Sequence, residues 1–144
     1  GAGAGCIGIV LKLVWPEAEG ALMDSVERKY RFLNAAATRT GLKGLRVLNR
    51  RAGSGAALTA YERDYDAVIE RALAELPEAL GLAWPMLAPR GIFAAFQTDE
   101  PDPAGPALAK SLAATLATVL KSCPYRRPNE TRDRRLILFA RKED

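Results

Sequence analysis

The first eight residues, Gly1-Ala2-Gly3-Ala4-Gly5-Cys6-Ile7-Gly8, constrain the fold more than any other stretch of the chain. Gly3, Gly5 and Gly8 spell G-x-G-x-x-G, and an apolar run from Ile9 to Val14 follows with the length of a short helix packed on a sheet. Glycines at such spacing let the backbone turn tightly, approach a ligand closely and pack a helix against a strand. Asp24 stands about 20 residues after the first glycine of the pattern, directly behind the apolar Ala21-Leu22-Met23. A carboxylate at that strand tip can accept both hydroxyl hydrogens of a ribose. The competing reading is a glycine-rich turn with an aspartate helix cap. The local pattern leaves NAD, FAD and S-adenosylmethionine open, because all three place an adenosine ribose against that acid.

The rest of the chain alternates strand and helix signals. A helix is predicted from about Val26 to Thr40, with Val26, Tyr30, Leu33, Ala36 and Ala37 at helical spacing and Gly41 as its stop. Leu45 to Leu48 forms the next strand and Ala52 to Ala57 a small-residue loop; Asp66 to Ile69 is the clearest strand. A helix from Pro77 toward Trp84, a strand from Ile92 to Phe96, and a proline-rich loop from Asp99 to Pro106 come next. An alanine-rich helix is predicted from Ala107 to Ser122, and Leu136 to Ala140 supplies the last strand. The alternation implies an α/β fold, Rossmann-like, with a mostly parallel sheet and helices on both faces. Tyr125 to Arg127 and Arg134 to Arg141 are joined by too few residues for a helical crossover. They are expected to form a C-terminal antiparallel hairpin, with Leu136 to Ala140 antiparallel to Ile92 to Phe96.

At 144 residues and 49% hydrophobic content the chain fits a single domain. Two cysteines and no histidine give neither a disulfide framework nor a Cys/His metal site, so no metal is expected. No apolar run approaches the roughly 20 residues that cross a bilayer, and the reading is a cytoplasmic protein without a membrane partner. The net charge is +4, and Arg126, Arg127, Arg132, Arg134, Arg135, Arg141 and Lys142 crowd the final twenty residues. That ending is either a solvated hairpin face or a surface for a polyanion.

The sequence order Gly1 to Leu11, Trp15-Pro16-Glu17, Leu22-Met23-Asp24-Ser25, Arg28-Lys29, Phe32-Leu33, Gly41-Leu42, Arg51-Ala52-Gly53 and Glu70-Arg71-Ala72 resembles one family. It is that of the bacterial 16S ribosomal RNA guanine-N7 methyltransferases, also called glucose-inhibited division protein B. The resemblance implies an S-adenosylmethionine-dependent methyltransferase domain over residues 1–144, with the family's first strand and N-terminal segment not in the chain. It also implies 16S ribosomal RNA or the small ribosomal subunit as partner, and a monomer. Gly1, Gly3, Gly5, Cys6 and Gly8 would line the cofactor loop, Asp24 would hold the ribose, Ala52 and Gly53 would sit beside the adenine, and Arg71 would anchor the methionine end. Arg132, Arg134 and Arg135, with Arg50, would meet RNA. No catalytic acid or base is expected, since guanine N7 carries a lone pair at neutral pH. The chain departs from the family pattern at Gly53, where Glu is usual, and at Gln97-Thr98, where Lys-Gly is usual. Those departures motivate a catalytically retired methyltransferase as one alternative, and the literal glycine pattern motivates a nicotinamide or flavin oxidoreductase fragment as another.

Overall fold

The computed structural model describes residues 1–54 and 64–142. The chain divides into two compact units, Gly1–Ala57 and Leu58–Asp144.

The first unit is built from α1 (Cys6–Val14), β1 (Gly20–Met23), α2 (Glu27–Thr40) and β2 (Leu45–Leu48). β1 and β2 pair in parallel, with Leu22 opposite Val47. Helix α1 begins three residues earlier than its apolar run suggests, because Gly5 supplies an N-cap in the left-handed region at φ 75°. A Cβ on Gly5 would lie 2.6 Å from Cδ2 of Leu33, a fully buried residue of α2. Gly8 is inside the helix, where the bare backbone lets α1 close on β1. A Cβ there would sit 2.2 Å from Cδ2 of Leu22, itself buried. α2 ends at Gly41, φ 62°, as its sequence predicts.

Gly8→Ala is therefore expected to cost about 1 kcal/mol of stability net, since overpacking of roughly 1–3 kcal/mol exceeds the ~1 kcal/mol gained in helix propensity. Gly81→Ala is the control. It lies in a helix with nothing within 4 Å of the added carbon, and should stabilise by about 0.5–1 kcal/mol. Urea denaturation that gave both variants the same sign would disprove the close α1–β1 approach.

The second unit contains β3 (Tyr65–Arg71), α3 (Leu76–Ala83), a 3-10 turn at Trp84–Met86, β4 (Leu87–Gln97), α4 (Pro106–Thr115), β5 (Ala117–Tyr125) and β6 (Arg134–Arg141). Its sheet has the order β3-β4-β6-β5. β3 and β4 are parallel, and β6 runs antiparallel to both β4 and β5. The antiparallel pairing of Leu136 to Ala140 with β4 is thus as the sequence predicts. β6 occupies an interior position and carries the run Leu136-Ile137-Leu138-Phe139-Ala140. β5 takes the edge, where the missing N–H of Pro124 interrupts no ladder on the open side.

Four of these sequence expectations need correction. The alanine-rich helix does not continue from Ala107 to Ser122. It stops at Thr115, and Leu116 takes a left-handed conformation at φ 54°. Ala117 to Tyr125 is the first arm of the hairpin, not Tyr125 to Arg127. Alanine-rich composition favours helix locally, but the apolar β6 offers a full ladder of backbone partners, and Thr118 and Val119 are β-branched. The strand Ile92 to Phe96 extends back to Leu87 through Pro89 and Gly91, because a register irregularity opposite Tyr65 to Ala67 absorbs the extra residues. β3 likewise runs on through Glu70 and Arg71. Of the loop expected at Ala52 to Ala57, residues 52–54 form a turn; the rest lies outside the described residues.

The core of this unit gathers Leu80 and Trp84 beneath Leu87, Phe93, Ile137 and Phe139. Phe93 and Phe139 are register partners and stack with ring centroids 5.8 Å apart. None of the described helices is long and apolar enough to cross a membrane.

Candidate functional site

In the first unit the C-terminal end of β1 delivers Asp24 to the glycine loop. The Ala2 N–H donates to the Met23 carbonyl at 2.7 Å, and the Gly3 N–H donates to Asp24 Oδ2 at 2.9 Å. Asp24 Oδ1 accepts from the Val26 N–H at 3.0 Å, which turns the chain into α2. The Asp24 N–H is itself held by the Leu48 carbonyl of β2 at 3.1 Å. Asp24 is only 3% exposed. Burial alone would raise its pKa, but the Val26 and Gly3 amides, with the more distant charge of Lys29, outweigh it and hold the carboxyl below its usual value.

A carboxylate has about four lone-pair positions, and one on each oxygen is used here. The remaining pair suits a cis-diol. Gly3 has nothing within 4 Å of the place a Cβ would occupy, so a ligand can approach its backbone there. These residues fit the ribose end of a nucleoside cofactor. Of the other predicted loop residues, Gly1 and Cys6 are exposed, Gly5 and Gly8 serve helix packing, and Ala52 and Gly53 occupy the turn after β2. The aspartate cap and the ribose acid are not exclusive readings, because Asp24 performs the first and retains capacity for the second.

Sequence reasoning missed Lys12. It is 6% exposed, and its Nζ donates to the carbonyls of Pro16, at 2.7 Å, and Ala18. The ammonium thereby satisfies the loop that returns the chain from α1 to β1. A lone lysine in an apolar run was the available signal.

Arg71 lies in the second unit, at the end of β3, and lines a cleft of about 200 Å³ with Phe96, Gln97, Tyr125, Arg127 and Arg134. Phe96 and Tyr125 meet edge-to-face, centroids 5.7 Å apart. Glu130 bridges Arg127 and Arg134, and their hydrogen bonds drive its pKa down to about 2. Arg132 and Arg135 sit elsewhere on the hairpin, paired with Asp99 and with Glu100 respectively. A larger cleft, about 610 Å³, is lined by Glu75, Asp99, Glu100 and Asp102. Glu75 lines both clefts, but the smaller one also carries Arg71, Arg127 and Arg134 and is the better candidate for a polyanion.

Behind the small cleft lies Glu70, 6% exposed. Its Oε2 accepts from the Leu73 N–H and its Oε1 from Gln97 Nε2, both at 3.1 Å. Burial raises its pKa, partly offset by those two donors. In the sequence Gln97 stood out only as a departure from the family pattern, and Tyr125, Arg127 and the supporting Glu70 were not assigned to a site. Finding them required knowing where β3, β4 and β5 end.

The family model described as rRNA small subunit methyltransferase G (GidB) matches residues 1–122. The chain belongs to this family. Among curated rRNA small subunit methyltransferase G proteins, that of Rubrobacter xylanophilus is 33% identical over the whole chain, which spans 56% of that relative. That of Myxococcus xanthus is 34% identical over 99% of the chain, spanning 64% of that protein. The chain thus spans less than two thirds of either rRNA small subunit methyltransferase G. Solved structures agree on the fold at low identity. A predicted O-methyltransferase from Agrobacterium tumefaciens aligns with TM-score 0.77 and 16% identity, covering 99% of this chain and 72% of that one. M. jannaschii TYW2, solved in complex with AdoMet, aligns with TM-score 0.69 and 13% identity, covering 96% of this chain and 64% of that one. The chain therefore has the Rossmann-like α/β methyltransferase fold, as its alternating strands and helices predict, with the terminal antiparallel hairpin in place.

Proposed function

We propose that residues 1–144 form the S-adenosylmethionine-binding domain of an enzyme that methylates guanine N7 in 16S ribosomal RNA. The observation that carries this reading is the Asp24 carboxylate, held by the Gly3 amide at the end of β1 in a chain of this family, with one acceptor position left on each oxygen. Asp24 would bind the ribose hydroxyls, and the Gly1–Gly8 loop with Cys6, Ala52 and Gly53 would enclose the nucleoside. Arg71 would bind the methionine carboxylate or an RNA phosphate, its guanidinium suiting either anion. S-adenosylmethionine, when bound, supplies a methyl group activated by its sulfonium. The acceptor would be the lone pair that guanine N7 carries at neutral pH. The protein needs no general base for that transfer. Its contribution is orientation, worth up to about 7–11 kcal/mol in well-aligned systems.

RNA would meet the hairpin arginines. Arg132, Arg134 and Arg135 each have a carboxylate partner, so a phosphate must compete for each guanidinium.

The test has two parts. Calorimetry should detect S-adenosylmethionine binding in preference to NAD or FAD, and incubation with small ribosomal subunits should yield N7-methylguanosine by nucleoside mass spectrometry. Binding of NAD or FAD alone would favour the oxidoreductase reading, and cofactor binding without methylation the retired one. In parallel, replacing Arg132, Arg134 and Arg135 by alanine should flatten the salt dependence of RNA binding by up to about three units of slope while leaving cofactor affinity in place. An unaltered slope would remove the hairpin from the RNA surface.

A further inference from the structure

We propose that Asp99 and Glu100 make an autoinhibitory contact with the C-terminal hairpin, holding Arg132 and Arg135 in place of RNA phosphates until a polyanion displaces them. This rests on the reading of the hairpin arginines as an RNA surface. Arg126, Arg127, Arg132, Arg134 and Arg135 each face a carboxylate. Three of these pairs close the hairpin turn on itself, Arg126 with Asp133, and Arg127 and Arg134 with Glu130. The other two cross to a different element. Asp99 pairs with Arg132, and Glu100 pairs with Arg135 at 2.9 Å.

Backbone register brings the two acids there. β4 and β6 are antiparallel with Gln97 opposite Arg135, so the chain leaving β4 runs beside the residues that lead into β6. Glu100 is held from both arms of the hairpin, since its Oε2 also accepts from Ser122 Oγ of β5 at 3.0 Å. Pro101 and Pro103 restrict the loop that follows, and Asp102 turns it toward α4 by accepting from the Ala104 N–H at 2.9 Å. Asp102 is thus engaged within its own loop, while Asp99 and Glu100 reach the arginines. Their side chains are 69% and 51% exposed, and ion pairs so open to water are weak. A lone phosphate gains little by replacing a carboxylate on a guanidinium. A strand of phosphates also releases its condensed counterions and gains more. The contact therefore holds off isolated anions and yields to a nucleic-acid strand.

The probe is a fluorescent oligouridylate, titrated with the purified chain and its variants and followed by anisotropy. Asp99→Asn combined with Glu100→Gln should tighten binding about three- to tenfold at low salt, the equivalent of two exposed pairs that no longer compete. The salt dependence should steepen by up to about two units of slope as both guanidinium groups become available to phosphates. Glu17→Gln combined with Asp66→Asn is the control. Both acids are exposed and neither makes a printed-range ion pair with an arginine among the described residues, so the net charge changes equally while Arg132 and Arg135 stay paired. This variant should tighten binding less than about twofold, because salt screens charges remote from the bound strand. Adding Arg132→Ala and Arg135→Ala to the Asp99 and Glu100 substitutions should cancel the gain. An equal gain in the control, a gain that survives loss of both arginines, or no gain would each overturn the proposal. Weaker binding would overturn it too, since the acids would then be holding the arginines in place for RNA. Circular dichroism checks the fold of each variant, and the single substitutions carry the same test should the pair fold poorly. S-adenosylmethionine binding is measured separately. Its absence beside an intact gain would count against the methyltransferase reading and not against the contact, and the reverse pattern against the contact alone.

Discussion

Phe139→Ala should lower the stability of the second unit by about 3–5 kcal/mol, the range for removing a large buried aromatic ring. Phe139 is fully buried on the interior strand β6, opposite the equally buried Phe93 with which it stacks. Truncation removes both the transfer energy of the ring and the edge of a stacked pair, and the cavity lies between a sheet and helix α3 with Leu80 and Leu87 beside it. Such a site cannot collapse without moving β6, which is hydrogen-bonded on both sides. Leu120→Ala, on the same hairpin but 57% exposed, should change stability by no more than about 0.5 kcal/mol. Urea midpoints measured at constant slope would compare the two. A loss under about 1 kcal/mol for Phe139→Ala would mean that the hairpin does not close this core.

Asp24→Ala should weaken S-adenosylmethionine by about 1.5–3 kcal/mol, roughly ten- to 150-fold, as expected for hydrogen bonds to a charged group. The same change strips the Gly3 and Val26 amides of their acceptor, so stability should fall as well, by about 1–3 kcal/mol. Circular dichroism on each variant separates the two effects. Asp24→Asn preserves the volume but turns a donor toward one of two amide donors, and should lie between aspartate and alanine in both measurements. The pH dependence has a definite sign. The folded-state pKa lies below the usual 3.8, so the carboxylate's contribution is complete above that value and disappears as pH falls below it through the folded value. The alanine variant should lose this acid-limb dependence. Unchanged cofactor affinity in a folded Asp24→Ala protein would remove Asp24 from the cofactor site.

The first unit was legible because its determinants are local. Gly5, Gly8 and Gly41 each meet a backbone requirement set within a few residues or by one neighbouring element, and the spacing from Gly3 to Asp24 is the length of one helix and one strand. Their backbone roles survive in the structure with little change. The element that misled was Ala107 to Ser122, whose alanines report a helical preference that holds only to Thr115.

What the sequence determined alone was therefore the α/β class, the glycine loop with its acid, and the antiparallel return of the last strand, all of which follow from short-range spacing or connection length. Tertiary structure decided the rest. The segment from Ala117 became a strand because β6, remote in sequence, gives its backbone a ladder that helix continuation would forfeit. The arginine-rich ending looked like one uniform patch, but only pairing in space shows Arg132 and Arg135 engaged by Asp99 and Glu100 while Arg127 and Arg134 flank the cleft. Glu70 and Gln97 are 27 residues apart, and no periodicity relates them. The parallel register of β3 and β4 brings their C-terminal ends side by side, and that register is fixed by the burial of Phe93 and its neighbours, not by the polar pair it aligns.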